Sequence, residues 1–229
     1  MPIIEDHKLI FQHVPKTGGL AVLDAFNTPG SGHQHLNYYF NICREKGYMG
    51  WTLFTIIRDP VERFISALSM YLDPPEEQAE NGSIARSRAR FPEIFEEDDI
   101  NDGLTFENVQ NLFQDGESFH FWPAASMFLH DPTLEPGTHT LTADLHGRYN
   151  ISFPSLCLTY ENLQEDFSYF CELLKLDIDP TLKQVNTSKL KPVLTQKTRK
   201  LIEQMYQIDY MIFGKIYEES YVRRFKQNS

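Results

Sequence analysis

Residues 51–57, WTLFTII, restrict the possible folds of this chain more than any other segment. Apolar side chains fall on both sides of the two-residue period, at Leu53 and Ile57 on one side and Phe54 and Ile56 on the other. Such a strand is stable only where both sheet faces are covered, as in the interior of a parallel sheet. Arg58-Asp59-Pro60 ends it. Asp59 is a natural N-cap, and Pro60 stands at the first helical position, where its missing N–H costs nothing. The segment VERFISALSMYL then places Val61, Phe64, Leu68 and Tyr71 on one helical face.

The same strand-then-helix order recurs along the chain. Residues 8–14 (KLIFQHV) predict a short buried strand, broken by Pro15-Lys16-Thr17-Gly18-Gly19 and followed by a helix over 20–26. Residues 154–160 predict a strand that runs into an amphipathic helix over 161–174. A further strand is expected over 138–143, and helices over 105–114 and 195–207. Strands alternating with helices imply an α/β fold of three layers, with a central, mainly parallel sheet flanked by helices. No linker interrupts the pattern, so the 229 residues are expected to form one domain, 1–229. Periodicity fades over about 73–103, which is expected to be an irregular insertion.

Charge narrows the function classes. Against 32 Asp and Glu stand 21 Lys and Arg, a net charge of −11. Sequence-independent nucleic-acid binding needs the opposite balance. Three scattered cysteines, Cys43, Cys157 and Cys171, make neither a disulfide framework nor a Cys-x-x-Cys pair. The opening residues carry no basic n-region and no apolar h-region, and no run approaches the ~18 apolar residues of a membrane span. The expectation is a cytoplasmic chain, although a luminal domain stripped of its leader would read the same. Neither partner copies nor oligomeric state can be read from these features.

Two strand-to-helix junctions carry chemistry. At His13-Val14-Pro15-Lys16-Thr17-Gly18-Gly19-Leu20 a buried strand feeds a glycine turn that opens a helix. Such a turn aims backbone N–H groups at one point and makes a nest for phosphate or sulfate, to which Lys16 adds a cation. Lys16 precedes the glycines, the reverse of a Walker A loop. At the second junction Arg58 stands at the carboxyl end of the central strand, the edge at which open α/β sheets bind ligands. Arg63 and Ser66 follow on the next helix, where an Arg fork and a hydroxyl suit a second phosphate. Pairing of these arginines with Asp59 or Glu62 is the structural alternative. Together the junctions fit one ligand with anionic groups at two ends.

PKTGGL and RDPVERFIS resemble the paired signature of sulfotransferases that use 3′-phosphoadenosine 5′-phosphosulfate (PAPS). Their form is closest to Golgi carbohydrate enzymes, such as heparan sulfate 2-O- and 6-O-sulfotransferases, and to their bacterial relatives. The segments LTYENLQED at 158–166, VNTS at 185–188 and DYMIFG at 209–214 resemble later family motifs in the same order. The resemblance implies a P-loop-like fold and transfer of a sulfuryl group from PAPS to an acceptor hydroxyl. The other product is adenosine 3′,5′-bisphosphate. It implies that Lys16, Thr17, Gly18, Gly19 and Leu20 surround the 5′-phosphosulfate, with Lys16 also catalytic. Arg58 and Ser66 would hold the 3′-phosphate, and Asn186 and Ser188 would complete the cofactor site. Leu20 stands where the family has Ser or Thr, so one hydroxyl donor is missing.

His33-Gln34-His35 resembles the family's His-x-His, which makes His35 the expected general base and His33 its support or runner-up. His120 resembles an acceptor-side histidine but reads more simply as a packed loop residue. Trp51 and Trp122 read as core. Arg86, Arg88 and Arg90, and the basic residues Lys189, Lys191, Lys197, Arg199 and Lys200, are candidate acceptor patches or solvated faces. The acidic balance favours a neutral or mildly acidic sugar, a lipid-linked glycan or a small hydroxylated metabolite over a highly sulfated polymer, with a carbohydrate the leading expectation. No His, Asp or Glu set has metal-ligand spacing, so no metal is expected. The competing readings are a nucleotide kinase or NTPase on a related fold, and a catalytically inert nucleotide-binding relative.

Overall fold

The computed structural model describes residues 3–29, 33, 36–48, 50–76, 82–130, 150–151, 156–183 and 190–218. In chain order it contains β1 (Ile3–Ile4), β2 (Leu9–Gln12), α1 (Gly19–Ala25), α2 (Leu36–Lys46), β3 (Thr52–Ile57) and α3 (Pro60–Leu72). There follow α4 (Ser83–Arg90), α5 (Pro92–Phe95), α6 (Ile100–Gly103), α7 (Phe106–Gln114), and two 3₁₀ turns at Gly116–Phe121 and Ala124–Phe128. The last elements are β4 (Leu129–His130), β5 (Asn150–Ile151), β6 (Leu156–Thr159), α8 (Leu163–Leu174), α9 (Gln196–Met205) and α10 (Gln207–Glu218).

The chain divides into two compact units. The first takes in Met1–Arg58, Ala124–Val185 and Ile212–Ser229, and contains a four-stranded sheet in the order β1-β2-β3-β6. β3 is central and parallel to both neighbours, with Phe11 opposite Phe54 and Ile57 opposite Thr159; only β1 is antiparallel. The two-residue period sorts the side chains. Phe11, Phe54, Ile56 and Leu158 pack with Val22 and Leu23 of α1 and Phe167 and Phe170 of α8. On the opposite face Ile10 and Leu53 meet Cys43 of α2, and Ile57 joins Phe128 and Phe213. Helices thus cover both faces of the sheet, as the apolar character of 51–57 requires.

The second unit, Asp59–Pro123 with Asn186–Met211, is helical among its described residues. Val61, Phe64, Leu68 and Tyr71, the face expected of α3, are all buried in its core, with Ile84, Leu112, Ile202 and Tyr206. Asp59 caps α3 as expected, its Oδ1 accepting the Glu62 N–H at 3.0 Å. The 73–103 segment is not the irregular insertion that fading periodicity implied: α4, α5 and α6 lie within it. α4 buries only Ile84 and Ser87, a stripe too narrow to show as an apolar repeat. Two of its arginines, Arg86 and Arg90, are engaged. Arg86 donates from Nε and Nη2 to the two Glu117 carboxylate oxygens at 3.0 and 2.9 Å, and Arg90 pairs with Asp115. These contacts tie α4 to Asp115 and Glu117 at the 3₁₀ turn after α7.

α2 has no counterpart in the sequence reading, although Leu36, Tyr39, Phe40 and Cys43 recur at helical spacing. The strand expected over 138–143 lies outside the described residues, as do His35, Asn186, Ser188 and Lys189.

Candidate active site

Parallel pairing puts the carboxyl ends of β2, β3 and β6 at one edge of the sheet in the first unit. The loop after β2, Arg58 after β3 and Tyr160 after β6 therefore meet there. The loop is held from below. Thr17 is buried, and its hydroxyl donates to the Val14 carbonyl at 2.8 Å. Lys16 and Gly18 both take left-handed backbone, at φ 65° and 82°. Gly18 carries a second constraint, since a Cβ there would sit 2.9 Å from Leu163 and 3.1 Å from the Tyr160 ring. At Gly19 a Cβ would come within 2.4 Å of the His13 ring. The glycines are thus required by the close approach of Leu163 and of the Tyr160 and His13 rings to the loop.

Two cations converge on this loop. Arg58 donates from Nη1 to the Lys16 carbonyl at 3.2 Å, and its guanidinium lies 4.0 Å from the centroid of the Tyr160 ring. Burial, and then the Arg58 charge, push the Lys16 ammonium down to about 8. A cation held below its ordinary value by burial and by a neighbouring cation is relieved by a bound anion.

Tyr160 is held in turn by the end of β6. The Asp166 carboxylate is buried, and one of its oxygens accepts both the Thr159 N–H and the Thr159 hydroxyl, each at 2.8 Å. Neither Tyr160 nor Asp166 stands out by residue type. Their signal in the sequence is the LTYENLQED resemblance and position, one at a strand's carboxyl end and the other one turn into the next helix.

Histidines flank the loop on its strand side. His13 is buried between the Phe11 ring and the His33 ring, with centroids 5.2 and 4.4 Å away. Burial, then His33, pushes His13 down to about 3, which keeps it neutral at physiological pH. His33 Nδ1 lies 3.0 Å from the His13 carbonyl. A carbonyl only accepts, so Nδ1 carries the proton.

The structure thus brings together Lys16, Thr17, Gly18, Gly19 and Arg58, with His33 one residue-contact away through His13. Leu20 sits in the first turn of α1 and is exposed. Ser66 is a half-buried residue of α3 in the second unit. Arg63, expected to face the same ligand as Ser66, instead turns inward. It is 1% exposed, donates to the His120 carbonyl at 3.1 Å and to that of Trp122, and lies 4.0 Å from Asp209. His120 is packed as expected of a loop residue, its Nδ1 3.2 Å from the Tyr71 hydroxyl.

The sulfotransferase family model matches residues 2–218, nearly the whole chain. This chain belongs to the sulfotransferase family. No curated protein matches it, and no solved structure does. The family-wide match extends over both compact units of this sulfotransferase. Among its described residues no helix is long and apolar enough to cross a membrane.

Proposed function

We propose that this sulfotransferase uses PAPS as donor and a carbohydrate hydroxyl as acceptor, with both units working as one domain. The observation that carries the reading is the Arg58 to Lys16 contact, which sets two cations beside a glycine loop at the carboxyl edge of the sheet. The residues fit the donor. The loop amides of Thr17, Gly18 and Gly19, with Lys16 and Leu20 beside them, hold the 5′ group, and Arg58 takes the 3′-phosphate. Ser66, Asn186 and Ser188 keep the roles implied by the motif resemblance. Motif form and the net charge of −11 support a neutral or mildly acidic sugar as acceptor.

When bound, PAPS supplies a sulfuryl group whose bond to the 5′-phosphate breaks as one to the acceptor oxygen forms. Lys16 stabilises charge on the phosphate side. The acceptor proton goes to a histidine of the 33–35 pair. For His33 the support is its place beside the loop, with Nδ1–H on the His13 carbonyl. His35 remains the other member of the pair.

Calorimetry with adenosine 3′,5′-bisphosphate and with ATP–Mg²⁺ tests the donor, and tighter ATP binding would overturn it. Transfer of radiolabel from PAPS to a panel of sugars tests the reaction; label on none of them, despite donor binding, would make the chain inert. Alanine at the histidine acting as base is expected to lower transfer by roughly a hundredfold or more, leaving nucleotide affinity unchanged. Normal rates in both His33→Ala and His35→Ala would remove histidine from the mechanism.

Lys16 makes binding pH-dependent. With the free ammonium near 8, a phosphate ligand raises its pKa, so the complex takes up protons as it forms above about pH 8. Affinity is therefore expected to fall as pH rises from 8 towards 9.5. At pH 8.5, binding enthalpies measured in buffers of different ionisation enthalpy are expected to reveal proton uptake. Identical enthalpies would contradict the coupling.

A further inference from the structure

Resting on the donor assignment above, we infer that Tyr160 is a positioning residue that sets selectivity for the 3′-phosphate by fixing the Arg58 guanidinium. Arg58 is held from two directions: an edge contact from Nη1 to the Lys16 carbonyl at 3.2 Å, and the Tyr160 ring 4.0 Å from the guanidinium carbon. The carbonyl constrains one nitrogen. The ring constrains the plane. A guanidinium binds phosphate through a planar fork, so the orientation of that plane decides whether two parallel N–H bonds form or one.

Tyr160 is itself well placed to hold a plane. It follows Thr159 directly, and Thr159 is pinned by two hydrogen bonds to the buried Asp166. The ring edge also packs on the loop, at 3.1 Å from where a Gly18 Cβ would stand. One side chain thus touches the backbone proposed to hold the 5′ group and the arginine proposed to hold the 3′ group. Tyr160 is 39% exposed, so it adds little to the core, and its position is not explained by apolar burial. The contact works through the face of the ring, not through the hydroxyl.

The test compares calorimetric affinities for adenosine 3′,5′-bisphosphate and adenosine 5′-monophosphate in the full chain. Tyr160→Leu is expected to lower the ratio of the two by about tenfold, with monophosphate affinity held within about threefold. Tyr160→Phe keeps the ring and is expected to keep the ratio within about twofold of the wild type. A ratio unchanged in Tyr160→Leu would overturn the inference while leaving the donor assignment standing. So would a Tyr160→Phe variant as impaired as Tyr160→Leu, because the hydroxyl would then be the active group. A wild-type chain with no preference for the bisphosphate would overturn both.

Discussion

Lys16→Ala is expected to lower sulfuryl transfer by roughly a hundred- to a thousandfold, the range found when one preorganised charge-stabilising donor is removed from an active site. Nucleotide affinity should fall by less, because the loop amides and Arg58 remain. The split follows from when each group matters. The amides and Arg58 meet charges present in the bound donor, whereas Lys16 meets charge that builds on the phosphate as the sulfuryl group leaves. Misfolding is a poor alternative explanation for lost turnover. Lys16 is charged beside Arg58 and partly desolvated, which pushes its pKa to about 8 in the folded chain. The unfolded lysine binds its proton more tightly, so the charged form opposes folding below about pH 8, and this opposition fades as pH rises towards 10.5. At pH 7 the alanine variant is therefore expected to melt no lower than the wild type. Thermal melting and labelled-PAPS transfer, measured on the same preparation, check both halves. Retained transfer would contradict the role of Lys16.

Arg63→Met has the largest expected effect on stability. Arg63 is 1% exposed and faces Asp209, which is fully buried. Its guanidinium also holds the carbonyls of His120 and Trp122, while the Tyr206 hydroxyl holds that of Phe121. Three successive carbonyls of one turn are thus satisfied by two side chains, and those side chains lie on α3 and at the end of α9. Methionine fills similar volume but removes the cation facing Asp209 and the donors to two carbonyls. Removing one partner of a buried pair costs about 3–5 kcal/mol, a large part of the 5–15 kcal/mol by which domains are stable. Arg63→Met/Asp209→Asn is expected to recover part of the loss, because the buried negative charge goes as well. Urea denaturation midpoints measure both. A loss under about 1 kcal/mol in the single variant would show that the turn does not depend on Arg63.

The RDPVERFIS segment shows how far sequence reasoning reaches. Its cap is local: an Asp followed by Pro and a helical stripe needs only neighbouring residues to act, and the Asp59 to Glu62 bond forms as the order of residues demands. Its two inner arginines could not be told apart in the same way. Arg58 and Arg63 have the same chemistry and lie five positions apart. One faces the sheet edge with Lys16 and Tyr160, and the other is sealed inside the helical unit. Helical spacing placed Arg63 beside Ser66, but facing a ligand or a core depends on what packs against α3. The 115–122 turn and the 202–209 segment do that packing, and they are remote in sequence.

The same division runs through the candidate site. Sequence alone determined that a strand apolar on both faces lies inside a covered parallel sheet. It also determined that glycines follow the first major strand and that a lysine stands at the turn, since these depend on local sterics and the burial of contiguous side chains. Only the tertiary structure decided that Gly18 and Gly19 are bare because Tyr160, Leu163 and His13 press against them, that His33 meets His13, and that Tyr160 lies over Arg58. Those contacts join residues up to 145 positions apart (Gly18 to Leu163), and they exist because the parallel register of β2, β3 and β6 brings three strand ends to one edge.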